Sequence, residues 1–224
     1  MAARKHRMDS PSALRTRLQF ARDRLRFFYV QRVRGFDPPT QPHLDEETAE
    51  WLERQLRKTK LYLEFGSGGS TVLANSLSVP SISVESDRFY ARAVRRRLAQ
   101  PEIARIQVPR MGITAEWGMP LFFRRSKGPR YVAAGFEKLG DDFPDLVFID
   151  GRYRVACTLE SARRANLSGA TALLMFDDYE GRSFYHAVED HLGEPERVGR
   201  AALFSIGENA ISEEAVRRFA EDPR

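Results

Sequence analysis

The stretch EFGSGGS, residues 64–70, places a carboxylate and three glycines directly after an apolar run, where a ligand can approach the backbone closely. Four more acids follow other apolar runs: Glu85, Asp150, Asp177 and Asp178. An ionised carboxylate accepts hydrogen bonds from both hydroxyls of a ribose, and clustered carboxylates suit a hard cation. The acid after the second run, Glu85, is therefore predicted to bind the ribose of a nucleoside.

The elements that position these residues alternate between strand and helix, as in a parallel sheet. In such a sheet ligands bind beyond the carboxyl ends of the strands, so the acids are predicted to share one rim. We predict an α/β fold with a doubly wound, Rossmann-like, mostly parallel sheet of about seven strands flanked by helices, plus an N-terminal helical extension. The predicted strands are 61–65, 81–84, 105–108, 145–149 and 171–176, with one or two more in 195–207; the predicted helices are 45–58, 71–77, 88–99, 155–166, 184–191 and 212–220.

Composition limits the class of protein. A chain of 224 residues with 42% hydrophobic content can bury one sizeable core. The single cysteine, Cys157, excludes an intramolecular disulfide and disfavours a cysteine-built zinc site. The sequence has neither an apolar run long enough for a transmembrane segment nor a secretory signal, which predicts a cytoplasmic protein.

The first 34 residues contain ten Lys or Arg and two acids. Apolar residues recur there at helical spacing, which predicts an amphipathic basic helix. The favoured role for this helix is a cap on the domain or a homo-oligomer contact, while anionic membrane lipid, nucleic acid and an acidic substrate stay open as ligands. The proline-rich stretch 34–43 is predicted to be a linker, giving an extension at 1–44 and the main domain at 45–224. The apolar face comprises Leu14, Leu18, Ala21, Leu25 and Phe28.

The glycine pattern separates two nucleoside cofactors. A dinucleotide-binding loop, G-x-G-x-x-G, would have its third glycine at position 71, where this chain has Thr71. A carboxylate at Glu64 would repel a pyrophosphate but attract the ammonium of a methionine group. Together these residues favour S-adenosylmethionine over NAD.

The loop EFGSGGS resembles the first motif of class I S-adenosylmethionine-dependent methyltransferases. In that family the acid and the glycines hold the methionine end, a second acid holds the ribose, and the loop after the third strand approaches the adenine. The resemblance implies cofactor contacts from Glu64, Gly66, Ser67, Gly68, Thr71, Glu85, Ser86, Gly112, Trp117 and Asp150.

Residues 145–182 are similar to the corresponding region of macrocin-type sugar O-methyltransferases and, more distantly, of catechol-type O-methyltransferases. The resemblance implies a Mg²⁺ site at Asp150, Asp177 and Asp178, where the ion would orient substrate hydroxyls and lower the pKa of the one that reacts. The chain departs from the catechol pattern, because Tyr153 and Arg154 stand where a lysine base is expected. Arg152 gives an alternative without metal, since its guanidinium can neutralise the acids or bind an anionic substrate.

The expected activity is methyl transfer from S-adenosylmethionine to a hydroxyl of a small molecule. The catalytic candidates are Asp150, Arg152, Tyr153 and Asp178. A nucleic-acid or protein N-methyltransferase is an alternative, although IDGR at 149–152 replaces the D/N-P-P-Y signature of many such enzymes, which disfavours a nucleic-acid partner. A noncatalytic nucleotide-binding protein on the same sheet is another. The long insert at 109–144 is a candidate lid and substrate-binding segment.

Overall fold

The computed structural model describes residues 11–122, 126–137, 139–140 and 142–223, without the side chains of 11–18 and 21. Its strands are β1 Tyr62–Phe65, β2 Ser81–Val84, β3 Ala104–Gln107, β4 Leu146–Ile149, β5 Ala172–Phe176, β6 Glu196–Val198 and β7 Ala201–Ile206. Its α-helices are α1 Pro11–Tyr29, α2 Glu46–Leu56, α3 Gly69–Ser76, α4 Arg88–Arg97, α5 Lys127–Ala134, α6 Arg154–Ser168, α7 Glu189–Leu192 and α8 Glu213–Phe219.

The seven strands form one sheet in the order β3-β2-β1-β4-β5-β7-β6. The first five are parallel, while β7 runs antiparallel to both β5 and β6. This confirms the Rossmann-like, mostly parallel sheet. The chain leaves β1 toward β2 on one side, and β4 lies on the other, so the carboxyl ends of β1 and β4 flank the point where strand order reverses.

Burial explains why these strands could be recognised. Every residue of β1, β2 and β4 is buried, as expected for strands covered by helices on both faces. The main apolar cluster packs α6 and α8 against the sheet around Phe65, Ile149 and Phe176. A second cluster on the opposite face joins Leu52 and Leu56 of α2 to Phe148.

Two parts of the chain differ from the sequence-based elements. The predicted α-helix at 184–191 is instead a 3₁₀-helix, Ser183–Val188, followed by the single turn of α7. Tyr185 and Val188 are both buried and lie three residues apart, a spacing that fits three residues per turn. Within the insert, helix α5 was not predicted, because its glycine and its proline both have low helix propensity.

The proline-rich linker lies against the glycine loop. A Cβ at Gly69 would stand 1.9 Å from the carbonyl oxygen of Gln41, so only glycine fits here. Farther along the linker, Arg200 donates to the carbonyl oxygen of His43 at 2.7 Å. The linker therefore forms one wall of the loop.

The N-terminal helix α1 continues into a π-helical turn, Val30–Arg34. On the apolar face expected to pack, Leu25 is 70% exposed, so the predicted cap on the domain is wrong at this position. Phe28 is half-buried, and the side chains of Leu14, Leu18 and Ala21 lie outside the described residues. None of the helices described is both long enough and apolar enough to cross a bilayer.

Candidate active site

The loops that follow β1 and β4 meet at the reversal point of the sheet. Gly66 has a φ of +104°, and a Cβ there would lie 2.8 Å from the backbone nitrogen of Gly151. The space at Gly151 is equally restricted, since a Cβ added there would lie 2.7 Å from the carbonyl carbon of Phe65. Two glycines thus allow the loops that follow β1 and β4 to lie side by side.

Glu64 is fully buried beneath the glycine loop and accepts hydrogen bonds from four hydroxyl groups. Its Oε2 accepts from Ser70 Oγ at 2.6 Å and from Tyr62 OH at 3.1 Å. Its Oε1 accepts from Thr71 and Ser83. Burial raises the pKa of Glu64 to about 7, although the hydroxyl donors oppose that shift.

Glu85, at the end of β2, is 7% exposed and lies against the same loop. Its carboxylate accepts from Ser67 Oγ at 3.1 Å, from the Asp87 backbone nitrogen at 2.8 Å and from Ser86 Oγ at 3.2 Å. Burial raises the pKa of Glu85, and these donors oppose the shift. Among the described residues, neither Glu85 nor Glu64 forms an ion pair with a cationic side chain.

The insert after β3 covers this region. Gly118 has a φ of +70°, and a Cβ there would lie 2.0 Å from Ser86 Oγ, so the insert closes over the end of β2. Gly112 also has a positive φ and lies near Lys127 Nζ. Trp117 is 85% exposed, so its indole lies on the outside of the insert.

The second half of the site contains the three aspartates. Asp150 follows β4, and Asp177 and Asp178 follow β5; one carboxylate oxygen from each lies within 4.8 Å of the others. The predicted cluster therefore exists. Partial burial raises the pKa of Asp150 to about 6; Asp177 and Asp178 act in the same direction, and Arg154 opposes them.

Each of these aspartates is paired with a guanidinium group. Arg154 Nη2 lies 2.8 Å from Asp150 Oδ1, and Arg182 Nη2 lies 2.8 Å from Asp178 Oδ2. Arg200 makes a two-point contact with Asp177, Nε to Oδ1 at 2.8 Å and Nη2 to Oδ2 at 2.7 Å. Three guanidinium charges thus balance three carboxylates.

The sequence suggested Arg152 as the neutralising residue, but Arg154, Arg182 and Arg200 make the pairs. Arg154 is 5% exposed and also donates to the carbonyl oxygens of Gly151 and Asp177, at 3.1 and 2.8 Å. Arg152 has no ion pair within the described chain, and its Nε is buried without a hydrogen-bond partner. Burial lowers the pKa of Arg152.

Tyr153 lies in the core and not at the rim. It is 1% exposed, and its ring lies 5.7 Å from that of Tyr131. Burial raises the pKa of Tyr153 to about 12, and its buried hydroxyl has no hydrogen-bond partner. This placement is that of a packing residue.

Several residues around the acids were missed by sequence reasoning. Ser83 lies directly opposite Glu64 in the register of β1 and β2. A glutamate in a fully buried strand needs hydrogen-bond donors, and the serines of the adjacent buried strand are candidates for that role. Arg200 gives no such signal, because it lies in the turn between β6 and β7.

Solved structures of known proteins resemble this chain. A methyltransferase-like protein from Silicibacter pomeroyi DSS-3 is 33% identical, with a TM-score of 0.74, and the match covers 84% of this chain and 99% of that chain. Cofactor-bound Rv0187 from MTB shares the fold at 14% identity, with a TM-score of 0.50, over 90% of this chain and 99% of that chain. No protein-family model and no curated protein sequence matches the chain. The chain therefore belongs to the family of the Silicibacter methyltransferase-like protein and has a Rossmann-like methyltransferase fold.

Proposed function

We propose that the protein transfers a methyl group from S-adenosylmethionine to a hydroxyl oxygen of a small-molecule acceptor. The observation that carries this proposal is the pair of buried carboxylates, Glu64 and Glu85, around a glycine loop. Neither has a cationic partner among the described residues, so both gain from a ligand that brings positive charge or hydroxyl donors. S-adenosylmethionine has both.

The residues of the loop fit this cofactor. Glu85 is the acceptor for the ribose hydroxyls, in place of its present donors Ser67 and Ser86. Because Glu64 is enclosed by four hydroxyls, we propose that it attracts the methionine ammonium through its field and holds the loop in shape. The insert supplies the adenine side at Gly112, and Gly118 shields Glu85 from water. Trp117 has no part in this arrangement, because its indole lies on the outside of the insert.

When bound, S-adenosylmethionine supplies a methyl group on a positively charged sulfur. The role of the chain is to align the acceptor oxygen, exclude water and remove the hydroxyl proton. Asp150 is the proposed proton acceptor, because a carboxylate with a pKa of about 6 is mostly ionised at neutral pH. Its ion pair with Arg154 fixes its orientation.

We propose that this reaction proceeds without Mg²⁺. The aspartates have the oxygen donors that Mg²⁺ prefers, but each already pairs with a guanidinium, and Asp177 is 1% exposed beneath Arg200. A divalent ion would have to displace at least two of these ion pairs. The donor set therefore does not fit the ion, and the proposed mechanism does not use it.

Arg152 is the proposed contact for an anionic group on the acceptor. Its Nε has no partner, and it follows Asp150 by two residues at the rim. A guanidinium in such a position gains most from a carboxylate or a phosphate. Arg182 and Arg200 are less available to an anionic acceptor, because their guanidinium groups already form ion pairs with Asp178 and Asp177.

A calorimetric titration of the full chain with S-adenosylhomocysteine and, separately, with NAD tests the cofactor. We expect heat of binding with the first and none with the second. Transfer of a labelled methyl group to a small-molecule extract then tests the activity. Binding of NAD alone would exclude the proposed function. Binding of S-adenosylhomocysteine without methyl transfer to any acceptor class would indicate a cofactor-binding protein without this activity.

A further inference from the structure

The N-terminal helix presents apolar side chains to solvent. Phe20, Leu25, Tyr29 and Val33 are 71%, 70%, 57% and 71% exposed. At about 100° per residue, Leu25 and Tyr29 lie on one side of the helix, with Val33 one turn farther on, while Phe20 lies on the opposite side. Apolar side chains of a surface helix usually face a core, so Leu25, Tyr29 and Val33 form an apolar patch without a partner in the described chain. We call these three residues the helix patch.

The helix is attached to the domain at its C-terminal end. Gln31, only 3% exposed, donates to Asp87 and, at 3.2 Å, to Thr114 Oγ1. The ring of Phe36 lies 6.0 Å from that of Phe27 and so packs against the helix. By contrast, residues 19, 20 and 22–26 are all exposed. The helix patch is therefore held in a fixed orientation but stands away from the domain surface.

Arginines flank the helix patch. Successive residues of an α-helix are rotated by about 100°, which places Arg22 and Arg26 on one side of the line from Leu25 to Tyr29, and Arg24 on the other. Arg32 and Arg34 continue the positive charge through the π-helical turn, and Asp23 is the only acid of the segment 19–34. An apolar stripe bordered by arginines is typical of a helix that lies in the interface of a membrane.

The charges discriminate between the candidate partners. Two copies paired through this helix would bring their flanking arginines together, which is unfavourable. Nucleic acid would satisfy the arginines but would offer no apolar phase to Leu25, Tyr29 and Val33. An anionic lipid surface satisfies both, because arginine stems can follow the apolar stripe while their guanidinium groups reach the headgroups.

We propose that the helix patch and its flanking arginines bind the surface of an anionic phospholipid membrane, with α1 lying in the plane of the interface. The interaction is peripheral. It holds the domain by the end of α1 that Gln31 anchors. It also explains why this arginine-rich segment keeps large apolar side chains that the domain does not bury.

The test is cosedimentation of the full chain with vesicles. Vesicles that mix phosphatidylglycerol with phosphatidylcholine are compared with vesicles of phosphatidylcholine alone. We expect at least about tenfold tighter binding to the anionic vesicles, and a loss of that binding at high salt. The double variant Leu25→Glu/Tyr29→Glu and the charge reversal Arg22→Glu/Arg26→Glu should each lose at least about tenfold in affinity.

Leu167→Glu is the matched control, because Leu167 is 68% exposed but lies on α6, far along the chain. It should bind the vesicles like the unaltered protein. Unchanged thermal unfolding of the variants confirms that only the surface has changed. Equal binding to both vesicle types, or no binding, would refute the proposal. A stable dimer dissociated by Leu25→Glu/Tyr29→Glu without vesicle binding would assign the patch to a second copy, and retention on DNA or RNA alone would assign it to nucleic acid.

Discussion

The carboxylates in the two halves of the site have different kinds of partner. Around β1 and β2, Glu64 and Glu85 are buried among hydroxyl and amide donors. Around β4 and β5, the three aspartates are paired with Arg154, Arg182 and Arg200. The first half has no cationic partner for its carboxylates among the described residues, while the second half is already balanced.

This difference bears on what each half can bind. Burial raises the pKa of Glu64 and of Glu85, and no cation among the described residues offsets that shift, so a cationic ligand gains by stabilising their ionised forms. Guanidinium partners cancel the charge, so the second half gains little from another cation. This difference supports the proposed binding of a cationic cofactor on one side of the rim and of a neutral or anionic acceptor on the other.

The largest expected effect is on stability, and it comes from removing an arginine that pairs with one of the three aspartates. Arg200→Met leaves Asp177, which is 1% exposed, without its two-point partner. Breaking such a buried pair should lower the free energy of unfolding by about 3 kcal/mol, measured by urea denaturation. Arg217→Met, which removes an exposed pair with Glu213, should cost less than about 0.5 kcal/mol. Equal losses in the two variants would contradict the buried role of Arg200.

The next largest effect is expected from removing Glu85, the carboxylate proposed to bind the ribose. Glu85→Ala removes the acceptor proposed for two hydroxyls and should weaken binding of S-adenosylhomocysteine roughly a hundredfold, measured by calorimetry. Glu102→Ala, at an exposed acid outside the site, is the control and should bind normally. An unchanged affinity in Glu85→Ala would remove the ribose assignment.

A smaller effect should appear in the pH dependence of stability. Burial raises the pKa of Glu64 from 4.5 to about 7 in the folded protein, so the folded state favours the protonated acid. The stabilisation that protonated Glu64 gives the folded state is complete below pH 4.5, its pKa in the unfolded chain. It is lost as the pH rises through about 7, its pKa in the folded protein. Between about pH 5.5 and 7.5 the unaltered protein should lose about 2 kcal/mol more than Glu64→Gln, measured by denaturation. Parallel pH profiles would show that Glu64 titrates normally.

The smallest expected effect is that of metal. Because the aspartates are paired with arginines, chelation by EDTA and addition of Mg²⁺ should each change the methyl-transfer rate by less than about twofold. A rate that falls to background in EDTA and returns with Mg²⁺ would show that the ion displaces the guanidinium groups.

Sequence reasoning recovered the sheet because buried parallel strands appear as short apolar runs separated by turn residues. Asp150, Asp177 and Asp178 were placed together correctly, since the ends of neighbouring parallel strands share one edge. The charge balance could not be foreseen, because Arg200 reaches Asp177 only through the fold of β7 beside β5. The hydroxyl cage of Glu64 depends on strand register, which a single sequence does not determine. Nor does local periodicity reveal whether the N-terminal helix finds a partner.

The contact between Gln41 and Gly69 has a practical consequence for shortened versions of the protein. Composition suggests trimming at residue 44, but such a cut removes the carbonyl groups that border Gly69 and accept from Arg200. The shortened protein would retain every strand, but the glycine loop at 66–70 would lose the wall that the linker forms and would be exposed to water on that side. Truncations meant to preserve ligand binding should therefore begin upstream of Gln41.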